Sequence, residues 1–162
     1  MASSRDSQRG RVYDAEDLVL RVFDGADRNG LRTVTVLGSQ LTLPVERRFG
    51  SAAAVQHYAD RVLGLNWVRA QWNPGSLRVR PRAGQQAAHY ETGTATIAVP
   101  ERGTWALREF VVLHEIAHHL EPAAAHGPAF VSAYLELVDG IIGSEAAFLL
   151  RTTLAECGVR FG

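Results

Sequence analysis

The sequence predicts an α+β chain in which a small mixed or antiparallel sheet packs on one buried helix and two further helices follow at the C-terminal end. Three observations predict it. Short runs of alternating polarity fill the first two thirds of the chain between Gly and Pro punctuation. The segment from Thr104 to Leu120 is helical in period and apolar nearly all round. Beyond it, two stripes with a 3.6-residue period begin at Pro128 and Ser144.

Residues 1–11 are polar and arginine-bearing and read as a flexible tail, with residues 12–162 as one domain. The first helix is expected to enter at Asp14 as N-cap, with Tyr13 stapled against Leu18, and to run to about Phe23. Val34 and Val36 alternate with Thr33 and Thr35, Gly38-Ser39 suits a two-residue turn, and Leu41 and Leu43 resume the alternation, so a hairpin ending at Pro44 comes next. Ser51 caps a second helix that places Val55, Tyr58, Ala59, Val62 and Leu63 on one face and closes at Gly64. Strands are expected near Ser76 to Pro81, Gln86 to Glu91 and Thr94 to Val99, the last two joined by a turn at Thr92-Gly93. Thr104 caps the apolar helix, which Pro122 stops by Leu120. Pro128 opens the next helix, which buries Phe130, Tyr134, Leu137 and Ile141 and ends near Gly140; Ser144 caps the last, through Leu149, Leu150 and Leu154 to Gly158.

Composition narrows the function classes. The 162 residues carry 17 basic and 17 acidic side chains, a net charge of zero, so no global field indicates nucleic acid or an anionic membrane as partner. All the basic residues are arginine. Cys157 is the single cysteine, which excludes an intrachain disulfide and a cysteine-rich zinc ribbon and reads as a small buried hydrophobe. With no apolar leader and no stretch long enough to span a bilayer, a cytoplasmic protein without membrane association is expected.

The chemistry is concentrated in His114-Glu115-Ile116-Ala117-His118. Residues four apart on a helix project from one face, so His114 and His118 can offer imidazoles to a single cation. Glu115 lies about 100° around the helix, within reach of a water on that cation but outside the ligand set, as a general base requires. Neutral imidazole suits zinc, and a catalytic zinc needs a third protein ligand and an open position. His126 is the candidate, because Pro122 breaks the helix, Ala123-Ala124-Ala125 leave room to fold back, and Gly127-Pro128 starts a helix that holds the backbone behind the ring. A shuffled chain of this composition would contain the five-residue pattern roughly once in 75 cases, so the apolar helix and the third histidine carry much of the weight.

These residues, with His126-Gly127-Pro128-Ala129-Phe130, resemble the SprT-like zincin metallopeptidases over Leu113 to Phe130, and the whole chain is similar to small HExxH metallohydrolases of high-GC bacteria. The resemblance implies a zincin-like fold, Zn2+ held by His114, His118 and His126, Glu115 as catalytic base, and hydrolysis of a peptide or protein substrate. SprT-like proteins commonly carry a cysteine-rich zinc module, which a chain with Cys157 alone lacks, so DNA-linked proteolysis is not expected. The metzincin pattern fails, since it asks for glycine at Glu121 and histidine at Ala124. A gluzincin would draw Glu136 or Glu145 as third ligand. The alternatives are a zinc ribonuclease or other non-peptide hydrolase, for which YbeY-type endoribonucleases offer a three-histidine precedent, and a metal-stabilised binding module without catalysis.

The strand ending at Val99 is a candidate cleft rim for an extended peptide. His119 is weighed as a residue orienting Glu115 or an oxyanion, against simple exposure. Tyr134 reads as core, Tyr90 as a donor not assigned to catalysis, and His57 and His89 as structural or exposed. Trp67, Trp72 and Trp105 read as core or rim aromatics, too scattered for a base-stacking platform.

Overall fold

A computed structural model describes residues 5–84, 86–101 and 105–162. It is an α+β structure with two small sheets, in two compact units: Met1–Glu46 with Ala123–Gly162, and Arg47–Pro122.

Among its described residues the first unit holds three helices and a hairpin. Helix α1 (Arg9–Asn29) begins ahead of the expected cap at Asp14 and runs past Phe23. Its buried stripe, Val12, Ala15, Glu16, Val19, Leu20, Phe23 and Ala26, recurs every three or four residues over the whole length, and Gly30 ends it with φ 73°. Tyr13 and Leu18 both lie on the solvent side, 38% and 46% exposed, so the expected staple does not form. Strands β1 (Thr33–Val36) and β2 (Ser39–Thr42) pair antiparallel with Val36 opposite Ser39. The turn is therefore Leu37-Gly38, one residue earlier than expected. Both residues have positive φ, 48° and 79°, the twist that lets a two-residue turn join right-twisted strands.

Helices α5 (Pro128–Ile141) and α6 (Ser144–Glu156) complete the unit. Pro128 occupies the first turn of α5, where its missing N–H has no partner to lose. Gly143 rather than Ser144 precedes α6 as its cap, with φ 136°. Val12, Phe130, Tyr134, Leu150 and Leu154 face one another across a small apolar space, and the Tyr134 hydroxyl donates to buried Glu16 at 3.1 Å. Tyr134 is core, as expected.

The second unit is built on the remaining elements. Helix α2 (Ala52–Leu63) is capped as expected, Ser51 Oγ accepting from the Ala54 N–H at 3.1 Å. A short helix not expected from the sequence, α3 (Asn66–Trp72), comes after it; it buries only Val68 and ends at Asn73 with φ 45°. Strands β3 (Arg78–Arg82), β4 (His89–Glu91) and β5 (Thr96–Pro100) form a mixed sheet in the order β3-β5-β4, β5 parallel to β3 and antiparallel to β4, with a 3₁₀ turn at Thr92–Thr94. Every residue of β5 is buried. As the central strand, β5 has both edges paired and cannot be the rim that accepts an added strand; β3 and β4 are the two edge strands of this sheet.

Helix α4 (Glu109–Leu120) starts later than expected. Thr104, the expected cap, lies outside the described residues. The chain before the helix is held extended against residues 47–49: the Phe49 N–H donates to the Leu107 carbonyl, Arg48 bridges Arg108, and the Glu109 N–H donates to the Arg47 carbonyl. Backbone groups committed to that pairing cannot also enter the helix. Glu109 then takes the first turn, where a carboxylate complements the helix dipole, and accepts from the Tyr58 hydroxyl at 2.6 Å and the Arg47 N–H at 3.2 Å. Among the described residues no helix is long and apolar enough to cross a membrane.

Candidate metal centre

Helix α4 is buried from Glu109 to Ala117 and again at Leu120. Phe110, Val112, Leu113, Ile116 and Ala117 supply the apolar packing that keeps the helix in place. His114 is therefore 1% exposed and Glu115 4%, while His118, a turn later, is half-buried. The i, i+4 spacing has the expected consequence: the rings of His114 and His118 are neighbours, with centroids 5.1 Å apart and planes at 63°. Each ring has interactions of its own, but no hydrogen bond among the described residues ends on the buried Nε2 of His114.

Strand β4 presents Tyr90 to the same helix. Its ring lies nearly parallel to that of His118, at 11° and 6.4 Å. His119 Nε2 lies 2.9 Å from the Gly75 carbonyl, so it must be the protonated nitrogen, and Nδ1 accepts from the Tyr90 hydroxyl at 3.0 Å. Burial pushes the Tyr90 phenol above its ordinary pKa, which keeps the proton for that bond. Both nitrogens of His119 are thus engaged in tying α4 to β4 and to the loop at Gly75, which accounts for this histidine without a part in orienting Glu115.

In the first unit the chain reaches His126 through a tight turn. Pro122 lies just past the end of α4, Ala125 takes φ 49°, and the Gly127 N–H donates to the Ala124 carbonyl at 2.8 Å. A Cβ on residue 127 would lie 2.9 Å from that same carbonyl oxygen, which is why glycine precedes Pro128. His126 is 6% exposed. Its ring packs against Phe130 at 5.1 Å and Tyr13 at 5.4 Å. Nδ1 lies 2.6 Å from Asp6 Oδ2, the backbone N–H donates to Asp6 Oδ1 at 3.2 Å, and the carbonyl accepts from Gln8 Nε2 at 2.9 Å.

The nitrogen ligand atoms of His114, His118 and His126 all lie within 4.8 Å of one another, and the three residues can hold a metal ion. Three imidazoles, two of them buried, form a donor set that matches a borderline-soft divalent metal such as zinc and suits calcium or magnesium poorly. Glu136 and Glu145, the alternative carboxylate ligands, are outside the group: Glu136 is exposed on α5, and Glu145 accepts from the Thr42 N–H. His57 and His89 are exposed. Trp67 and Trp105 are 37% and 47% exposed and Trp72 is half-buried, its indole donating to Glu121 at 3.0 Å, so none of the three is core. Cys157 is half-buried rather than fully buried; burial first, then Asp14 and Glu156, raises its thiol pKa.

Asp6 and Gln8 are the residues that sequence reasoning missed. Their only signal was a pair of polar side chains in a polar tail. Comparison with family models, with curated proteins and with solved structures finds no match for the chain.

Proposed function

We propose that the chain is a zinc-dependent hydrolase with a zincin-like site of the SprT type, and that its substrate is a peptide or protein. The observation that carries this reading is the group of three imidazoles within 4.8 Å, two of them from a helix on which Glu115 is the next residue after the first ligand. A three-histidine set leaves one tetrahedral position for water or substrate, the hallmark of a catalytic rather than a structural zinc. When bound, zinc supplies Lewis acidity toward a carbonyl oxygen and lowers the pKa of a water in its open position.

The chain's own residues do the rest. His114, His118 and His126 bind through neutral imidazole nitrogens. Glu115 is buried and accepts the proton of the attacking water, then returns it to the departing amine, so that one carboxylate serves as base and then as acid. Its place in the middle of a packed helix limits its motion between the two steps.

The substrate class is argued from β4. Among the described residues both edge strands of this sheet pair only with β5, and β4 is the one that carries Tyr90 against His118. An edge strand beside the ligands can take an extended peptide by main-chain hydrogen bonds. RNA offers no such complement.

The test is metal analysis of the purified protein together with a comparison of wild type and Glu115→Gln on a mixed peptide library and on RNA. The expected result is one zinc per chain in both proteins, metal-dependent peptide cleavage by wild type, and a loss of at least about a hundredfold in Glu115→Gln. RNA cleavage in place of peptide cleavage would move the reading to a nuclease. Absence of stoichiometric metal would overturn it.

A further inference from the structure

The backbone N–H, the carbonyl and the ring Nδ1 of His126 are all held by residues 118 to 120 positions earlier in the chain. Asp6 grips the residue twice, at the ring through Oδ2 and at the backbone N–H through Oδ1, and Gln8 holds the carbonyl. Gln8 is 3% exposed and is itself clamped, donating to the Arg160 carbonyl at 3.0 Å and accepting from the Arg160 N–H at 2.7 Å. This is a double tether between the start of α1 and the end of the chain, closed over one histidine.

A carboxylate 2.6 Å from Nδ1 is an acceptor, so the proton belongs on Nδ1 and the lone pair on Nε2. That tautomer is the one a metal ligand bound through Nε2 requires. The charge of the carboxylate also makes Nε2 a stronger donor, and the two-point grip, with Phe130 and Tyr13 packed against the ring, fixes the plane in which the lone pair points. We propose that Asp6 is a positioning residue of the metal centre, setting the tautomer and orientation of His126 from outside the ligand set. The proposal rests on the metal reading above. It assigns the N-terminal segment a part in metal binding that no local motif announces.

The test compares full-length wild type, Asp6→Ala and Asp6→Asn. Zinc affinity is measured by competition with a chromogenic chelator, the visible spectrum is recorded with Co2+ in place of zinc, and the thermal midpoint of each metal-free protein is determined. Asp6→Ala is expected to bind zinc about 10- to 100-fold more weakly and to change the cobalt spectrum, while its metal-free form, which loses two hydrogen bonds, melts several degrees lower but remains folded at the assay temperature. Asp6→Asn keeps an acceptor for the Nδ1 proton without the charge, and its loss is expected to be smaller. Equal affinities and spectra in all three proteins would refute the role of Asp6 and leave the metal reading standing. A weakening that only accompanies loss of folded protein, with the cobalt spectrum of the bound fraction unchanged, would refute it too. No stoichiometric binding by wild type would overturn both.

Discussion

Replacing Gly127 by alanine puts the turn that delivers His126 under direct strain. The new Cβ would meet the Ala124 carbonyl oxygen at 2.9 Å, a backbone atom, so no side chain can swing away and the turn itself must open by a few tenths of an ångström. The Gly127 N–H donates to that same oxygen at 2.8 Å, and stretching this bond forfeits most of about 0.5–1.5 kcal/mol. In the other direction, alanine tolerates φ −74°, and its stiffer unfolded chain contributes about 0.4–1 kcal/mol in favour of folding. The two nearly offset, so urea denaturation of the metal-free protein should detect a change of under about 1 kcal/mol. Metal binding has no such compensation. His126 sits one residue before the strain, with its N–H and Nδ1 on Asp6 at 3.2 Å and 2.6 Å, and a shift there misdirects the lone pair. A loss of about tenfold in zinc affinity, about 1.4 kcal/mol, is expected by chelator competition. Wild-type affinity in Gly127→Ala would refute the argument, because either the turn does not hold the ring or the ring is not a ligand.

Removing the metal should lower the melting temperature. At free zinc a hundredfold above its dissociation constant the ion stabilises the folded state by about 2.7 kcal/mol, roughly 5–11 °C for a chain of this size, and differential scanning fluorimetry with and without chelator measures the shift. Tyr58→Phe takes a buried donor from Glu109 at the start of α4, so a loss of about 1.5–3 kcal/mol should appear in urea denaturation; an unchanged midpoint would mean that the Arg47 N–H alone satisfies the carboxylate.

How far the sequence could be read depended on whether a feature is local. Ser51 as a cap, Pro128 in a first turn, Pro122 as a stop and the buried stripes of α2, α5 and α6 arise from backbone rules that act within a few residues, and the structure has them where expected, except that Leu63 and Ile141, at the ends of the α2 and α5 stripes, are only half-buried. The hairpin turn was misplaced by one residue because Gly38 suits either position, and only the pairing of Val36 with Ser39 decides between them. Helix α3 was missed because seven residues with one buried side chain carry no periodicity to detect.

The five residues from His114 to His118 were sufficient to place two imidazoles on one helical face with a carboxylate beside them, since a 3.6-residue repeat leaves no alternative once the helix forms. His126 was legible as a candidate from the Pro and Gly around it. Tertiary structure decided every feature that depends on pairing distant segments: that β5 is central and β3 and β4 the edges, that residues 47–49 delay α4, that His119 is bound to Tyr90 and Gly75, and that Asp6 and Gln8 hold His126 from 120 and 118 residues away. Periodicity reports which face of an element is apolar. It carries no record of which remote polar group completes a hydrogen bond, because that choice is made only when the chain closes on itself.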